Sequence, residues 1–164
     1  MAFKLTRIPD AFITAFGTFV IAFSKFEYAM ASQFAKALDL PFQKALVVFY
    51  SISGFAGHRD LLKAAIASTG AHEPPQELLD IMTAAEELNT MRNDLVHGNW
   101  LEVRGKELCI SVAKPKNKAR TYILRVTVTD IETATDKIAD LTDRLYDTSV
   151  IAVPRRSGKH GSKD

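Results

Sequence analysis

The sequence predicts a mainly α protein: an up-and-down helical bundle with a small antiparallel β-meander before the last helix. Residues 1–153 form a single domain in this reading, with the β insert at 100–128. Three observations carry it. Apolar residues recur at three- and four-residue spacing over 10–38, 76–97 and 131–145, as one face of an amphipathic helix requires. From 101 to 128 the period drops to two, that of half-buried strands. All ten Phe lie in the first 55 residues, so the first half supplies the aromatic bulk of one core. A chain of 164 residues is long enough to bury such a core, and its 47% apolar and 24% charged content is that of a soluble globular protein.

The first helix is expected over 10–38, where Phe12, Phe16, Phe19, Phe23, Phe26, Met30 and Phe34 step by four and three in a sustained seam. Ala11 to Phe23 is apolar but shorter than the ~20 residues that span a bilayer. A secretory leader, with Lys4 and Arg7 before the run and Ala29-Met30-Ala31 as a cleavage site, is opposed by Asp10, Lys25 and Glu27 and by the seam continuing past the cut. Pro41 opens a second helix, Phe42 to Ser53. Ser53-Gly54-Phe55-Ala56-Gly57 interrupts it, and His58-Arg59-Asp60 begins a third that Gly70 closes near Thr69. The fourth spans Gln76 to His97, with Leu78, Ile81, Ala85, Leu88 and Leu95 on one face and Gly98 as the stop.

The meander follows. Leu101 and Val103, then Leu108, Ile110 and Val112, then Tyr122, Leu124, Val126 and Val128 alternate with polar neighbours, with a first turn at Gly105 and a second connection over 114–118. Thr129-Asp130-Ile131-Glu132 reads as a capping box that starts the last helix, with Ile131, Ala134, Ile138, Leu141 and Leu145 facing inward. Residues 154–164 form a basic tail expected to be disordered.

Within the fourth helix, Arg92 falls on the apolar stripe between Leu88 and Leu95, where a solvent-seeking side chain is out of place. Glu86, Thr90, Asn93 and His97 form a polar stripe beside it. Arg-x4-His also occurs at Arg155 and His160 in the tail, so spacing alone is uninformative. Helical placement, Asn93 one turn before His97, and the His-Gly stop distinguish the first copy. Glu27, beside Phe26, is either an exposed flank residue or the partner of a buried cation such as Arg92; the pairing is preferred, because buried charges must be compensated. Arg59, near a helix start, is unfavourably placed for the helix dipole and is either a solvated partner of Asp60 or a second functional cation.

The chemistry of these residue types suits RNA cleavage. A guanidinium grips a phosphate by two hydrogen bonds and stabilises charge that builds up in the transition state. Imidazole exchanges protons near neutral pH, and a helix C-terminus suits it to the acid role. Residues five apart on a helix project about 140° from one another, so Arg92 and His97 cannot converge on one atom from adjacent positions. Two copies of the helix meeting about a twofold axis would bring them together.

Net charge is only +2, but it alternates along the chain: −5 over 64–98, +5 over 99–128 and −4 over 129–153. Either neighbouring elements neutralise one another, or Lys114, Lys116, Lys118 and Arg120 face a nucleic-acid backbone. Cys109, the single Cys, excludes a disulfide framework and a Cys-based zinc cluster and fits a reducing, cytoplasmic setting. His58, His72, His97 and His160 show no ligand spacing, the chemistry above requires no metal, and no cofactor is expected.

Arg92-Asn93-Asp94-Leu95-Val96-His97-Gly98 resembles the signature of HEPN domains, helical bundles whose motif is Arg, usually a polar residue next, and His four to six residues after the Arg. The resemblance implies a metal-independent endoribonuclease, a homodimer joining two motifs in one cleft, in which Arg92, Asn93 and His97 act on RNA and Glu27 and Arg59 are auxiliary. Members of that family often serve as toxins, abortive-infection factors or RNA-processing enzymes, and a toxin would have an antitoxin protein as partner. Some keep the fold without nuclease activity, which leaves a silent interaction or nucleotide-binding module as the other reading. The motif covers seven residues and the helical plan about two-thirds of the chain; the basic meander lies outside the minimal bundle.

Overall fold

The computed structural model describes residues 8–69, 74–113 and 121–148. Among these, the order is α1 (Asp10–Ala37), α2 (Phe42–Tyr50), α3 (Phe55–Ser68), α4 (Gln76–His97), β1 (Asn99–Arg104), β2 (Glu107–Ala113), β3 (Thr121–Thr127) and α5 (Val128–Asp147). The protein is mainly helical, with a three-stranded antiparallel sheet before the last helix. No helix among the described residues is long and apolar enough to cross a membrane.

α1 is the spine, in contact with α2, α3, α4 and α5. Its aromatic seam explains this role: Phe12, Phe19, Phe23, Phe26, Met30 and Phe34 are all buried. Each such side chain contributes ~1.5–3 kcal/mol by leaving water. Phe16 is the exception in the seam. It is half-buried and meets Trp100 edge-on at 5.4 Å, where β1 leaves the bundle. α5 lies along α1 with Ile131, Ala134, Ile138, Leu141 and Leu145 buried, as their spacing requires. Gln33, a polar residue inside the seam, donates from Nε2 to the Leu145 carbonyl at 2.6 Å, so the end of α5 is tied to α1.

Three boundaries differ from the sequence expectation. α2 ends at Tyr50 rather than Ser53, and the Ser51 hydroxyl donates to the Val48 carbonyl at the terminus. α3 starts at Phe55 rather than His58, because Gly54 takes a φ of 82° that glycine alone adopts freely and Phe55 is buried as the first helical residue. The capping box lies two residues earlier than Thr129 and Glu132 suggest. Thr127 Oγ1 accepts from the Asp130 N–H at 3.1 Å, and Asp130 Oδ2 accepts from the Thr127 N–H at 2.8 Å. The cause is the strand before it: Thr127 is the last residue of β3 paired to β2, opposite Glu107, so the chain turns there.

The sheet is the expected meander in order β1-β2-β3, its first hairpin turned through Gly105 at φ 62°. Leu108, Ile110 and Val112 of β2 are buried, and β2 packs on α4. Leu101 interrupts the β1–β2 pairing between Trp100 and Glu102, a bulge that bends the strand immediately after α4. Lys114, Lys116, Lys118 and Arg120 fall outside the described residues, as does the tail 154–164.

Candidate functional site

α4 is continuous from Gln76 to His97, so Arg92 sits on the stripe of Leu78, Ile81, Ala85, Leu88 and Leu95 that faces the core. The side chain is half-buried. Its guanidinium carbon stands 5.8 Å from the centre of the Phe23 ring, within cation–π range. One terminal nitrogen donates to Asn93 Oδ1 at 3.1 Å, while the buried Nε–H has no hydrogen-bond partner among the described residues. Among the described residues no carboxylate lies within ion-pair distance of Arg92. A cation thus occupies the buried face of a helix with an aromatic ring beneath it and one amide beside it.

The structure overturns the pairing of Arg92 with Glu27. Glu27 Oε1 is 3.6 Å from Nδ1 of His58, a buried imidazole whose Nε2 is 2.8 Å from the Ile52 carbonyl oxygen. His58 stacks on Phe49 with ring centres 4.3 Å apart. Burial, then Glu27, then Tyr28, push the nearby Tyr50 phenol upward. Arg59 is also engaged within the chain. It contacts Asp60 at 3.0 Å and bridges to Glu86 of α4, so the local pairing with Asp60 holds and a second partner joins it. Glu27 and Arg59 therefore bind their own neighbours rather than Arg92. Both partners of Arg59 are exposed, and pairs of that kind contribute ~0–1 kcal/mol.

Arg59, Glu86, Thr90, Asn93 and His97 still share one side of the bundle, because Glu86, Thr90, Asn93 and His97 follow one another up α4. His97 is exposed at the last helical position, and Asn93 is half-buried one turn below it. Helix geometry keeps the His97 and Arg92 side chains on different flanks within one chain.

The end of α4 is fastened to the sheet by residues the sequence reading left aside. The Trp100 indole N–H donates to the Leu95 carbonyl at 2.7 Å, satisfying one acceptor that a helix terminus leaves open. The Tyr122 hydroxyl donates to Asp94 Oδ2 at 2.6 Å. That bond first, then burial and the Asp94 charge, push the Tyr122 phenol up to about 12. Gly98 closes the helix in an extended conformation, φ −72° and ψ 154°, with its N–H on the Asp94 carbonyl at 2.9 Å. Alternation along β3 pointed Tyr122 inward, but nothing local in the sequence named Asp94 as its partner, 28 residues away.

No group of three or more His, Cys, Asp or Glu that could hold a metal ion occurs among the described residues. A groove between α4 and α5, of about 450 Å³, is lined by Glu87, Asp136 and Asp140 with Lys137 and Arg144. Its surplus of carboxylates suits it poorly to a polyanion, and Arg92, Asn93 and His97 do not line it. Comparisons of the chain with protein-family models, with curated proteins and with solved structures give no match. The likeness to HEPN domains therefore stands on Arg92, Asn93 and His97 and the helix that carries them.

Proposed function

We propose that the protein is a metal-independent endoribonuclease of the HEPN kind, acting in the cytoplasm as a homodimer whose two α4 ends form one cleft. Arg92 binds the scissile phosphate and stabilises the charge that grows on its oxygens. The 2′-hydroxyl attacks phosphorus and the bond to the 5′-oxygen breaks, leaving a 2′,3′-cyclic phosphate. The His97 imidazole of one copy takes the 2′-hydroxyl proton, and that of the other copy delivers a proton to the leaving oxygen. Asn93, already hydrogen-bonded to Arg92, positions the guanidinium. If the enzyme is a toxin, an antitoxin protein would cover this cleft.

The observation that carries this reading is the half-buried Arg92 without a carboxylate partner among the described residues and with its Nε–H unsatisfied. A cation kept there for stability would be paired, because an uncompensated buried charge is costly. One kept for an anionic ligand is left open to it.

The test is RNA cleavage in EDTA by wild type, Arg92→Ala and His97→Ala, with melting followed in parallel. Each variant is expected to lose cleavage by about 10²-fold or more, as loss of one transition-state donor or proton-transfer group does. Melting should fall by only a few degrees in Arg92→Ala, which loses the Phe23 contact and the bond to Asn93 but breaks no ion pair, and stay close to wild type in His97→Ala, whose side chain is exposed. Equal cleavage by all three proteins would sink the proposal.

A second reading is favoured by the contacts that Arg92 makes within its own chain, the Phe23 ring at 5.8 Å and the Asn93 amide at 3.1 Å, which hold the side chain without a ligand. It is a catalytically silent module that binds a protein or a nucleotide partner. In that case the wild type leaves RNA uncleaved, and Arg92→Ala weakens assembly or partner binding instead of removing an activity.

A further inference from the structure

The segment that carries Arg92, Asn93 and His97 also carries Asp94, whose carboxylate is held from outside the helical layer by the Tyr122 hydroxyl of β3 at 2.6 Å. Asp94 is half-buried on the flank of α4, away from the Arg92 stripe, so a bond made there acts on the rotation of the last turn rather than on the core contact. Two further fastenings meet the same turn. The Trp100 indole holds the Leu95 carbonyl, and Gly98 lies flat against the Ile110 side chain of β2. Trp100 pairs with Ile110 and Tyr122 with Val112, so all three act from adjoining positions of the sheet. Helix ends fray unless tertiary contacts hold them, and a frayed last turn would leave His97 without a fixed direction.

We infer that Tyr122 is a positioning residue, which acts through Asp94 to fix the last turn of α4 and the direction in which Asn93 and His97 project. This builds on the ribonuclease reading for its effect on catalysis, whereas the fastening of the helix end can be measured whether or not the protein cleaves RNA. It also gives the β-meander a purpose: the sheet is the abutment against which the motif-bearing helix is set.

Tyr122→Phe removes one oxygen and keeps the ring. In the full-length protein, amide exchange at Leu95, Val96 and His97 should accelerate about tenfold, equivalent to ~1.4 kcal/mol, while Ile81 to Leu88 exchange as in wild type. The NMR signals of the Asn93 amide and the His97 ring should shift. On RNA, kcat should fall about tenfold with KM within about twofold, because a misdirected proton donor is felt in the transition state rather than in binding. Asp94→Asn, which keeps a carbonyl acceptor for the phenol, should retain slow exchange, and Asp94→Ala should behave like Tyr122→Phe.

Unchanged exchange and unchanged Asn93 and His97 signals in Tyr122→Phe would overturn the inference whatever the enzyme does. So would faster exchange accompanied by a wild-type kcat. An inactive wild type whose last turn loosens in Tyr122→Phe and stays firm in Asp94→Asn would remove the ribonuclease reading and uphold the fastening.

Discussion

Gly98→Ala is the substitution whose cost the structure defines most sharply. Gly98 has an extended backbone that alanine adopts readily, so conformational strain is not the issue. The obstacle is space. An added Cβ would fall well inside contact distance of Ile110 Cγ2 and of the Asp94 carbonyl oxygen, and 3.4 Å from Val112 Cγ2. Carbon atoms sit comfortably ~3.5–4.0 Å apart, so the end of α4 and strand β2 must separate by roughly 1 Å, and the Gly98 backbone must also turn away from the Asp94 carbonyl that accepts its N–H. Overpacking of this kind costs ~1–3 kcal/mol, and each neutral hydrogen bond stretched by the displacement adds ~0.5–1.5 kcal/mol. The bonds at risk are Trp100 to Leu95 and Tyr122 to Asp94. A total of ~4 kcal/mol lowers the melting temperature by roughly 8–16 °C for a chain of this size.

Circular-dichroism melts and urea unfolding measure the change, and two other glycines calibrate it. Gly17 lies within α1 with nothing within 4 Å of an added Cβ, so Gly17→Ala should stabilise by ~0.5–1 kcal/mol. Gly54 has the same free space but φ 82° and ψ 151°, a region essentially reserved to glycine, so Gly54→Ala should destabilise by ~1–3 kcal/mol from backbone conformation alone. If Gly98→Ala melts within about 1 °C of wild type, α4 does not abut β2 as described, and the fastening of the motif-bearing turn falls with it.

Two further outcomes follow from hydrogen bonds at the ends of helices and strands. Thr127→Ala should cost ~1 kcal/mol in urea unfolding and Thr129→Ala almost nothing, because the first caps α5 and the second is exposed within it. The bonds from Thr127, backbone N–H first and then hydroxyl, hold the Asp130 carboxyl below its ordinary value. A lowered acid stabilises the fold above the unfolded value near 4 and loses that contribution as pH falls through the folded one, so the difference between wild type and Asp130→Asn should shrink in acid. Tyr122 gives the opposite sign. Its phenol is raised from 10.0 to about 12, so its contribution is complete below pH 10 and is lost as pH rises through about 12. An absorbance titration at alkaline pH should therefore lose its highest phenol step in Tyr122→Phe; loss of a step near pH 10 instead would contradict the bond to Asp94.

What the sequence made legible is what repeats along it. α4 begins and ends at the expected residues, and α1 and α5 bury the expected faces, because a 3.6-residue period is written many times over in a long helix. Short elements carry fewer repeats and depend on neighbours. α2 loses its last expected turn to a Gly54 turn, and the start of α5 is settled by strand pairing between two overlapping Thr-x-x-acid patterns, Thr127 to Asp130 and Thr129 to Glu132. The site divides along the same line. Arg92 on the apolar stripe, Asn93 beside it and His97 at the helix end were all readable from spacing within one element. Pairings between elements were not: Glu27 meets His58 and Arg59 meets Glu86, partners 31 and 27 residues away in sequence.

Those two pairings sharpen the case for Arg92. Glu27 was the acid best placed in sequence to neutralise a buried cation on α4, and a helix of the same core presents His58 to it instead. Glu86, six residues before Arg92 on α4, is likewise engaged by Arg59. Carboxylates are plentiful in this chain, with 19 Asp and Glu, so a lone guanidinium on a buried face is not a consequence of scarcity. Among the described residues, Arg59 takes Asp60 and Glu86 and Glu27 faces His58, while Arg92 is left with a ring, an amide and an unused N–H. Were Arg92 merely structural, Arg92→Met should be well tolerated, since methionine fills the same apolar path without a charge to compensate. A ligand site predicts the same tolerance in stability together with a loss of cleavage of about 10²-fold or more. Stability and RNA cleavage must therefore be measured on the same Arg92→Met sample, and a stable variant that still cleaves RNA would refute the anion-binding role of this side chain.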